Sequence, residues 1–579
     1  MTPTIQWRSE TYCALHVELN SVNMVVLSGM PGHWRFDQRI VVFRPTGANV
    51  SHIMAHWPEV VWAGGTHYFR DQWEMAQAAL AHVRATKQDV TLLSQADDFV
   101  YRTRPHDHQR KAFLLSRDCE WFGLFMDPGT GKTKVALDTA AYLYQHGKID
   151  TLLVLAPNGV HWNWTEEEIP VHFALNKFAL YTDTSARSKT QTRHFETTLA
   201  HQGMSVFAFH IEGLTSKTAC ALIERVLKTR RCLWVIDESS RIKTPSAQRT
   251  KWVVDRRKLA PYRRILTGTP VTKGLEDLYS QLLFLSPLIL GFDTYTTFKT
   301  HYCREQKFDM GQGRSFIKIL GYQNVPELVA QVDGCAYRVR KDECLDLPPK
   351  IYQRFSFELG PKARKLYDQM ATEYMAEMDG QVISENLAIT RLLRLQQIAC
   401  GWWPSEDENV LTPIDPGKSD RLKALLQVLE DLGDRKVIIW ARFQADFVLL
   451  QRELGDAAVS YHGKVSDAGR QASLQRFRHD PTCFYLVANP QNAGVGLTLN
   501  ESDVHVWYCN RFDLELRIQG EDRSHRIGQT AQSVLYIDLE ARRTLDSKVI
   551  QALRAKKNIA DLVTMDPKSF FLTYTEEVA

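Results

Sequence analysis

The sequence predicts an α/β protein with two lobes, each a parallel β-sheet flanked by helices, with helical protrusions and a small N-terminal α+β module. Two stretches, about residues 100–290 and 415–550, alternate short β-branched apolar runs with amphipathic helical segments. The 579 residues leave room for about four domains. Hydrophobic residues make up 44% and charged residues 24%, which excludes a disordered, collagen-like or coiled-coil chain.

The charge and cysteine patterns narrow the class further. Lys and Arg number 71 against 67 Asp and Glu, so the net charge of +4 excludes a polycation but not a local basic groove. The apolar run around 282–290 is interrupted by Ser286 and Pro287 and is too short for a membrane span. The ten cysteines are scattered without C-x-x-C spacing, which favours a reducing compartment. We expect no basic leader and no membrane partner.

The domain prediction follows the two alternating stretches. Residues 1–95 form an accessory module, 96–345 the first lobe with a helical insertion from about 272, and 346–579 the second lobe with a helical insertion at about 355–410 and C-terminal brace helices. The predicted strands are Trp121–Phe125, Thr151–Ala156, Met204–Phe209, Cys232–Ile236 and Arg264–Leu266 in the first lobe, and Lys436–Trp440, Phe484–Ala488, Val504–Tyr508 and Val534–Asp538 in the second.

A glycine-rich loop, MDPGTGKT (126–133), joins a predicted strand to a predicted helix. Backbone N–H groups of Gly129, Thr130 and Gly131 can surround phosphates at the helix N-terminus. Lys132 can reach the β- and γ-phosphates of ATP, and the Thr133 hydroxyl can hold Mg²⁺. The strict pattern has Gly where this chain has Met126, and the alternative is a turn that merely caps a helix.

An acid pair ends the apolar run LWVIDE (233–238). Acids at the end of a buried strand lie at the carboxyl edge of the sheet, where α/β folds bind ligands. Asp237 is predicted to hold Mg²⁺ and Glu238 to polarise the attacking water. The alternative is a solvated Asp-Glu turn, which is common at strand ends.

Two arginines lie in QGEDRSHRIGQ (519–529) of the second lobe. Arg523 and Arg526 are three residues apart and would share one face of a helix, with Gln519 nearby. If both lobes close on one nucleotide, these arginines can neutralise charge on the γ-phosphate. The alternative is a solvated, salt-bridged helix face.

The ordered set of motifs resembles the Swi/Snf-type branch of superfamily-two helicases, whose members are double-stranded DNA translocases. The resemblance covers about 100–565 and implies two RecA-like lobes, use of ATP with Mg²⁺, and an ATPase stimulated by double-stranded DNA. It also implies that Gln109 reads adenine and that Gly496 and Gln519 belong to the nucleotide-binding residues. The motifs are RPHDHQRKAF (104–113), MDPGTGKT (126–133), LVLAPNGVHWNW (153–164), IDESSRIKT (236–244), RILTGTPV (264–271), KVIIWARF (436–443), NAGVGLTLNESDVHVWY (492–508) and QGEDRSHRIGQ (519–529), with YRVRKDECLDLPPK (337–350) and TLDSKVIQALRAKK (544–557) as further landmarks.

This chain departs from the family pattern at three places. Ser239 and Ser240 stand where the family has Ala-His after the acid pair, so the link from nucleotide to coupling motif is expected to run differently, through Ser240. Met126-Asp127-Pro128 replaces the usual start of the phosphate loop. Gly401-Trp402-Trp403 replaces the Asn-His-Pro of many chromatin remodellers, which is more typical of bacterial, viral and annealing-helicase members.

A translocase must bind any sequence, so it should contact phosphates and avoid base edges. The predicted DNA contacts are Asn158, Thr267, Thr269, Asn489, Asn492 and Thr498, with Arg241, Lys243 and Arg442 as nearby cations. The expected partners are double-stranded DNA, branched or forked DNA and DNA-bound proteins. We expect a monomer in the cytoplasm of a bacterial or phage-infected cell, or in the nucleus if the source is eukaryotic.

The N-terminal 95 residues carry five tryptophans: Trp7, Trp34, Trp57, Trp62 and Trp73. Aromatic side chains near Arg35 and Arg39 could stack on unpaired bases at a DNA junction. In a small α+β module, tryptophans more often form the core. Both interpretations remain open.

The predicted function is an ATP-dependent double-stranded DNA translocase that remodels DNA or protein–DNA complexes, with branch reannealing as one outcome. One alternative is a strand-separating helicase or an RNA-stimulated ATPase. The other is a non-catalytic DNA-binding scaffold with a vestigial nucleotide site, which the intact Lys132, Glu238 and Arg526 disfavour.

Overall fold

The computed structural model describes residues 2–9, 11–31, 34–37, 40–89, 91–92, 98–184, 188–272, 274–309, 315–378, 385–404, 411–415, 419–493 and 497–555. The chain forms two compact units, Met1–Cys344 and Leu345–Ala579. Within the described residues, no helix is long and apolar enough to cross a membrane.

The first unit begins with a small α+β module. Its mixed sheet has the order β3-β4-β2-β1-β5, with β1 and β5 parallel and the other neighbours antiparallel. The elements are β1 (Thr4–Ser9), β2 (Tyr12–His16), α1 (Ser21–Ser28), β3 (Trp34–Asp37), β4 (Ile40–Phe43), α2 (Gly47–His56), β5 (Val61–Trp62) and α3 (His67–Gln88). Trp57 lies in the module core, Trp34 and Trp62 pack against that core, and Trp7 remains 43% exposed. Three of the five tryptophans of the module therefore serve packing.

The module packs against the rest of its unit through helices α2 and α3. Leu80 is fully buried in the main hydrophobic cluster of the first lobe. The Lys87 ammonium donates to the Ala336 carbonyl at 2.6 Å and pairs with Asp333 at 2.7 Å. The Ala48 N–H donates to the Gly291 carbonyl at 2.9 Å. These contacts make the module part of the first unit's core.

The remainder of the first unit contains a seven-stranded sheet in the order β14-β6-β11-β10-β7-β9-β8. Every neighbouring pair is parallel, and central strands such as Thr151–Ala156 are buried along their whole length. Continuous apolar strands are typical of a sheet covered on both faces. The strands of this part are β6 (Trp121–Met126), β7 (Thr151–Ala156), β8 (Ala179–Thr182), β9 (Ser205–His210), β10 (Cys232–Asp237), β11 (Tyr262–Leu266), β12 (Cys303–Asp309), β13 (Ser315–Tyr322) and β14 (Ala336–Val339).

The helices of this part flank the sheet and continue into the insertion. They are α4 (Asp107–Ser116), α5 (Lys132–Gln145), α6 (Val160–Asn163), α7 (Ile169–His172), α8 (Lys189–Ala200), α9 (Lys217–Thr229), α10 (Gln248–Arg256), α11 (Leu278–Leu285), α12 (Pro287–Leu290), α13 (Tyr295–Tyr302), α14 (Val325–Cys335) and α15 (Lys341–Cys344). The insertion that was predicted to be helical also contains two strands, β12 and β13. They pair antiparallel, from Cys303 opposite Tyr322 to Asp309 opposite Ser315.

The second unit is built on a six-stranded parallel sheet in the order β15-β22-β21-β18-β20-β19. Between β15 and β18, the sequence also contains a separate two-stranded antiparallel pair, β16–β17. The strands are β15 (Lys350–Phe357), β16 (Trp402–Pro404), β17 (Leu411–Pro413), β18 (Val437–Trp440), β19 (Ala458–Tyr461), β20 (Tyr485–Ala488), β21 (Val504–Trp507) and β22 (Val534–Ala541). The helices are α16 (Pro361–Met378), α17 (Glu385–Ala399), α18 (Asp420–Leu432), α19 (Gln444–Leu454), α20 (Asp467–His479), α21 (Pro490–Ala493), α22 (Leu514–Glu521) and α23 (Leu545–Arg554).

The predicted fold class is confirmed: both units hold an all-parallel sheet flanked by helices. All nine predicted strands form: Thr151–Ala156 has the predicted ends, and the others have ends shifted by at most three residues. Four strands of the two parallel sheets were missed: β8, β14, β15 and β19. Each lies at an edge of its sheet.

Candidate active site

The carboxyl ends of the parallel strands bring three predicted motifs to one edge of the first sheet. The phosphate loop follows β6, and the acid pair ends β10. Strand β11 lies between them and leads into residues 267–271, which we call the coupling loop. Because neighbouring strands are about 4.8 Å apart, the three motifs lie within about 10 Å along this edge.

The phosphate loop turns tightly onto the first turn of α5. Gly129 and Gly131 have φ of +83° and +88°, and a Cβ on Gly131 would lie 2.2 Å from the Gln109 side-chain nitrogen. A larger residue therefore cannot replace Gly131 without displacing Gln109. The buried Lys132 ammonium donates to the Met126 carbonyl at 2.8 Å, across the loop. Thr133 is half-buried in the first turn of α5.

Helix α4 supports the loop through two side chains. Gln109 donates to the Thr130 carbonyl at 3.0 Å and accepts from the His106 N–H at 3.0 Å. His108 Nε2 lies 2.8 Å from the same Thr130 carbonyl, so this nitrogen carries the proton. Burial lowers the pKa of His108, which favours the neutral ring. Gln109 thus lies against the phosphate loop, and its role in reading adenine stays a prediction.

The acid pair is held rigidly at the end of β10. Asp237 Oδ2 accepts from the Trp164 indole N–H at 2.8 Å, and Oδ1 accepts from the Glu238 N–H at 2.9 Å. Trp164 is fully buried and begins a π-helical turn, Trp164–Glu168. Glu238 has φ of +50°, a conformation that non-glycine residues seldom adopt. The backbone therefore turns sharply where the predicted water-polarising carboxylate stands.

The coupling loop contacts the phosphate loop directly. A Cβ on Gly268 would lie 2.6 Å from Pro128 Cδ, so only glycine permits this approach. The Thr267 N–H donates to the Leu124 carbonyl at 3.2 Å, and the Thr267 hydroxyl accepts from the Thr269 N–H at 3.1 Å. Thr267 is fully buried, which argues against its predicted contact with DNA. Thr269 is half-buried and stays a predicted contact.

The other predicted DNA contacts of the first unit differ in availability. Asn158 is exposed after β7, and its N–H donates to Glu212 at 3.0 Å. Arg241 is half-buried. The Lys243 ammonium donates to the Thr272 hydroxyl and lies 3.8 Å from Asp277, so this cation is paired within the protein.

The two arginines of the second unit converge on one carbonyl. Helix α22 ends at Glu521, so Arg523 and Arg526 lie in the turns that follow and not on one helix face. Even so, Arg523 Nη1 and Arg526 Nη1 both donate to the Leu497 carbonyl, at 3.1 and 3.2 Å. Gln519 lies on α22 and donates to Glu515 at 3.1 Å.

The other predicted site residues of the second unit differ in burial and in hydrogen-bond partners. Asn489 follows β20 and accepts from the Gln491 N–H at 2.9 Å, while Thr498 is half-buried. The Arg442 guanidinium lies 4.6 Å from the Phe512 ring centroid and donates to Gln396. Burial lowers its pKa to about 10. Gly496 and the side chain of Asn492 lie outside the described residues.

Sequence reasoning missed Trp164 and Gln281. Trp164 stands in a motif interpreted as lying along DNA, yet its N–H holds Asp237. Gln281 lies in a mostly apolar helix, α11, and its buried amide contacts both the acid-pair turn and the coupling loop. A long amide side chain among mostly apolar helix residues was the available signal, because buried polar groups need partners.

A phosphate loop and an acid pair at the carboxyl edge of one parallel sheet, with a single strand between them, define a P-loop nucleoside triphosphatase lobe. Comparison with known families is more specific. A family described as the SNF2-related domain matches residues 106–401, more than half of the 579-residue chain, and the helicase conserved C-terminal domain matches residues 418–528. The chain belongs to the SNF2-related family of helicase-like ATPases.

Two curated relatives illustrate the range of the family. The mouse (Mus musculus) DNA annealing helicase and endonuclease ZRANB3 is 25% identical over 440 residues, covering 74% of this chain and 38% of the relative. The Xenopus laevis SWI/SNF-related matrix-associated actin-dependent regulator of chromatin subfamily A-like protein 1 is 24% identical over 510 residues, covering 87% of this chain and 48% of the relative. The chain spans less than half the length of both.

A similar solved structure is the Sulfolobus solfataricus SWI2/SNF2 ATPase core in complex with dsDNA. It is 23% identical, with a TM-score of 0.36, and the match covers 83% of this chain and 98% of that one.

Proposed function

We propose that this protein is an ATP-dependent double-stranded DNA translocase that remodels DNA or protein–DNA complexes. The observation that carries the proposal is the direct contact of the coupling loop with the phosphate loop, one strand away from the acid pair. A lobe that only bound nucleotide would not need a third element packed on its phosphate loop. Membership of the SNF2-related family supports the helicase-like ATPase activity in this proposal.

In this proposal the first unit binds and positions ATP. Gln109 lies beside the adenine, backbone N–H groups of the phosphate loop surround the phosphates, and Lys132 leaves the Met126 carbonyl to bind them. Glu238 orients the attacking water and accepts its proton. The sharp backbone turn at Glu238 fixes where that carboxylate can reach.

The Asp237 carboxylate and the Thr133 hydroxyl fit Mg²⁺, because hard oxygen atoms are the ligands that this ion prefers. Two donors already orient the Asp237 carboxylate. Bound there, Mg²⁺ would supply positive charge that offsets the negative charge of the phosphates. We assign Arg523 and Arg526 to the charge that develops on the γ-phosphate, a role worth about 10³–10⁵ in rate.

The exposed Asn158, the half-buried Thr269 and Thr498, and Asn492 are the proposed contacts with DNA phosphates. Phosphate contacts through amides, hydroxyls and backbone N–H groups carry no sequence preference, as a translocase requires. Branched DNA is a second proposed substrate, supported by the name of the mouse relative, a DNA annealing helicase.

An ATPase assay with and without duplex DNA tests the active site. Lys132→Ala should lower DNA-stimulated turnover by at least about 100-fold, because the lysine binds the reacting phosphates. Lys148→Ala, which removes an exposed lysine just beyond α5, is the matched control and should leave turnover unchanged. Equal turnover of the Lys132→Ala variant and the parent would show that the site is assigned wrongly.

A second assay distinguishes translocation from the alternatives. A translocase should displace the third strand of a DNA triplex while leaving the strands of a forked duplex paired. Unwinding of the fork would favour a strand-separating helicase, and stimulation by RNA instead of DNA would favour an RNA-dependent ATPase. Absence of ATP turnover under all conditions would favour a non-catalytic scaffold.

A further inference from the structure

We propose that Ser239 and Gln281 are positioning residues that connect the turn carrying Glu238 to the coupling loop and so set how strongly DNA stimulates ATP turnover. The inference rests on the proposed function, because it concerns how that activity is coupled. It assigns the link to Ser239, whereas the sequence pointed to Ser240. Neither Ser239 nor Gln281 contacts nucleotide or DNA in this proposal.

The first step is a buried hydrogen bond beside the acid pair. Ser239 directly follows Glu238 and begins a 3₁₀ turn, Ser239–Ile242. Its hydroxyl donates to Gln281 Oε1 at 2.7 Å, and both residues are fully buried. A buried hydroxyl with a single defined acceptor fixes the backbone next to it. The position of Glu238 therefore depends on Gln281.

The second step runs from Gln281 to the coupling loop. Its amide nitrogen donates to the Pro270 carbonyl and to the Asp277 carbonyl, both at 2.8 Å. Two carbonyl acceptors use both amide hydrogens, so the amide oxygen must face the Ser239 hydroxyl. The orientation of the side chain is thus determined by three partners. Gln281 cannot rotate without breaking contact with either motif.

The third step connects the coupling loop to the phosphate loop. Pro270 belongs to the same coupling loop as Gly268, which lies against Pro128. The residue that follows the loop, Thr272, is held by Asp277, which accepts from the Thr272 N–H at 2.8 Å and from the Thr272 hydroxyl at 2.7 Å. A displacement of the coupling loop therefore reaches the phosphate loop by packing and the acid pair by hydrogen bonds.

The chain offers a matched control on the same helix. Ser280 precedes Gln281 in α11 and is buried, with 1% of its surface exposed. Its hydroxyl has no hydrogen-bond partner among the described residues. Ser280→Ala removes a buried hydroxyl at the same depth without touching the link. It separates the effect of the hydrogen bond from the effect of a changed core.

The test measures ATP turnover of the full chain without DNA and with saturating duplex DNA. Ser239→Ala and Gln281→Met should each lower the DNA-stimulated rate about tenfold, since a buried hydrogen bond is lost. The rate without DNA and the KM for ATP should stay within about twofold of the parent. The double variant should lose no more than either single variant, because both remove one link. Ser239→Thr keeps the hydroxyl and should retain stimulation, and Ser280→Ala should behave as the parent.

Circular dichroism and thermal melting of each variant show which of them fold, and either single variant suffices for the comparison of rates. Parallel loss of both rates, an unchanged ratio of stimulated to basal rate, or a double variant that loses the product of the single losses would each overturn the link. A parent protein without any stimulation by duplex DNA would instead overturn the proposed function, and the link with it.

Discussion

At the scale of single residues, the hydrogen bond from Trp164 to Asp237 gives the sharpest prediction. The indole N–H fixes Oδ2 of the carboxylate that we assign to Mg²⁺. Trp164→Phe keeps the ring packing but frees the carboxylate to rotate. Because residues that hold a metal ligand typically contribute 10–100-fold to affinity or activity, the Mg²⁺ concentration for half-maximal ATP turnover should rise at least about tenfold. Trp162→Phe, two residues away and half-buried, is the control. A Mg²⁺ titration identical for parent and Trp164→Phe would refute this role.

At the scale of elements, a buried carboxyl joins strand β16 to helix α19. Asp446 is fully buried and accepts from the Trp402 indole N–H at 2.7 Å and the Phe443 N–H at 3.1 Å. Burial raises its pKa from 3.8 to about 6. An acid whose pKa is higher in the folded state stabilises fully below its unfolded pKa and loses that contribution as pH rises through the folded value.

The free energy of unfolding of the second unit should therefore fall between about pH 4 and pH 7 through this group, by about 3 kcal/mol. Urea titrations of the parent and of Asp446→Asn across this range check the prediction. The decrease in the free energy of unfolding with rising pH should be smaller in Asp446→Asn than in the parent. Asp456→Asn, at an exposed carboxyl of the same unit, should show the same pH dependence as the parent. Parallel pH profiles for the parent and Asp446→Asn would contradict the prediction.

The same scale shows how far the sequence predicts the structure. Central strands are buried on both faces and appear as continuous apolar runs, so pattern alone located them. Strand β15, KIYQRFSF, contains no fully buried residue and carries Lys350 and Arg354, so its apolar pattern is weak and its pairing with β22 makes it a strand. The hydrogen bond between Ser239 and Gln281 spans 42 positions, because tertiary packing brings α11 to the acid-pair turn. Motif spacing could therefore locate Asp237 and Glu238, but not the side chains of Trp164 and Gln281 that hold the acid-pair turn.

At the scale of the whole molecule, we predict that the N-terminal module contributes to the stability of the first unit as part of its core. Leu80 of α3 is fully buried in the same hydrophobic cluster as strand residues of the seven-stranded sheet. Leu80→Ala should lower the free energy of unfolding of the first unit by about 2–5 kcal/mol, the range for emptying a buried leucine site. Met75→Ala, on the same helix at 66% exposure, should change it by no more than about 0.5 kcal/mol. Urea unfolding followed by tryptophan fluorescence compares the three proteins. Equal stability of Leu80→Ala and the parent would show instead that the module is a separable appendage, and would favour its alternative role as a binder of DNA junctions.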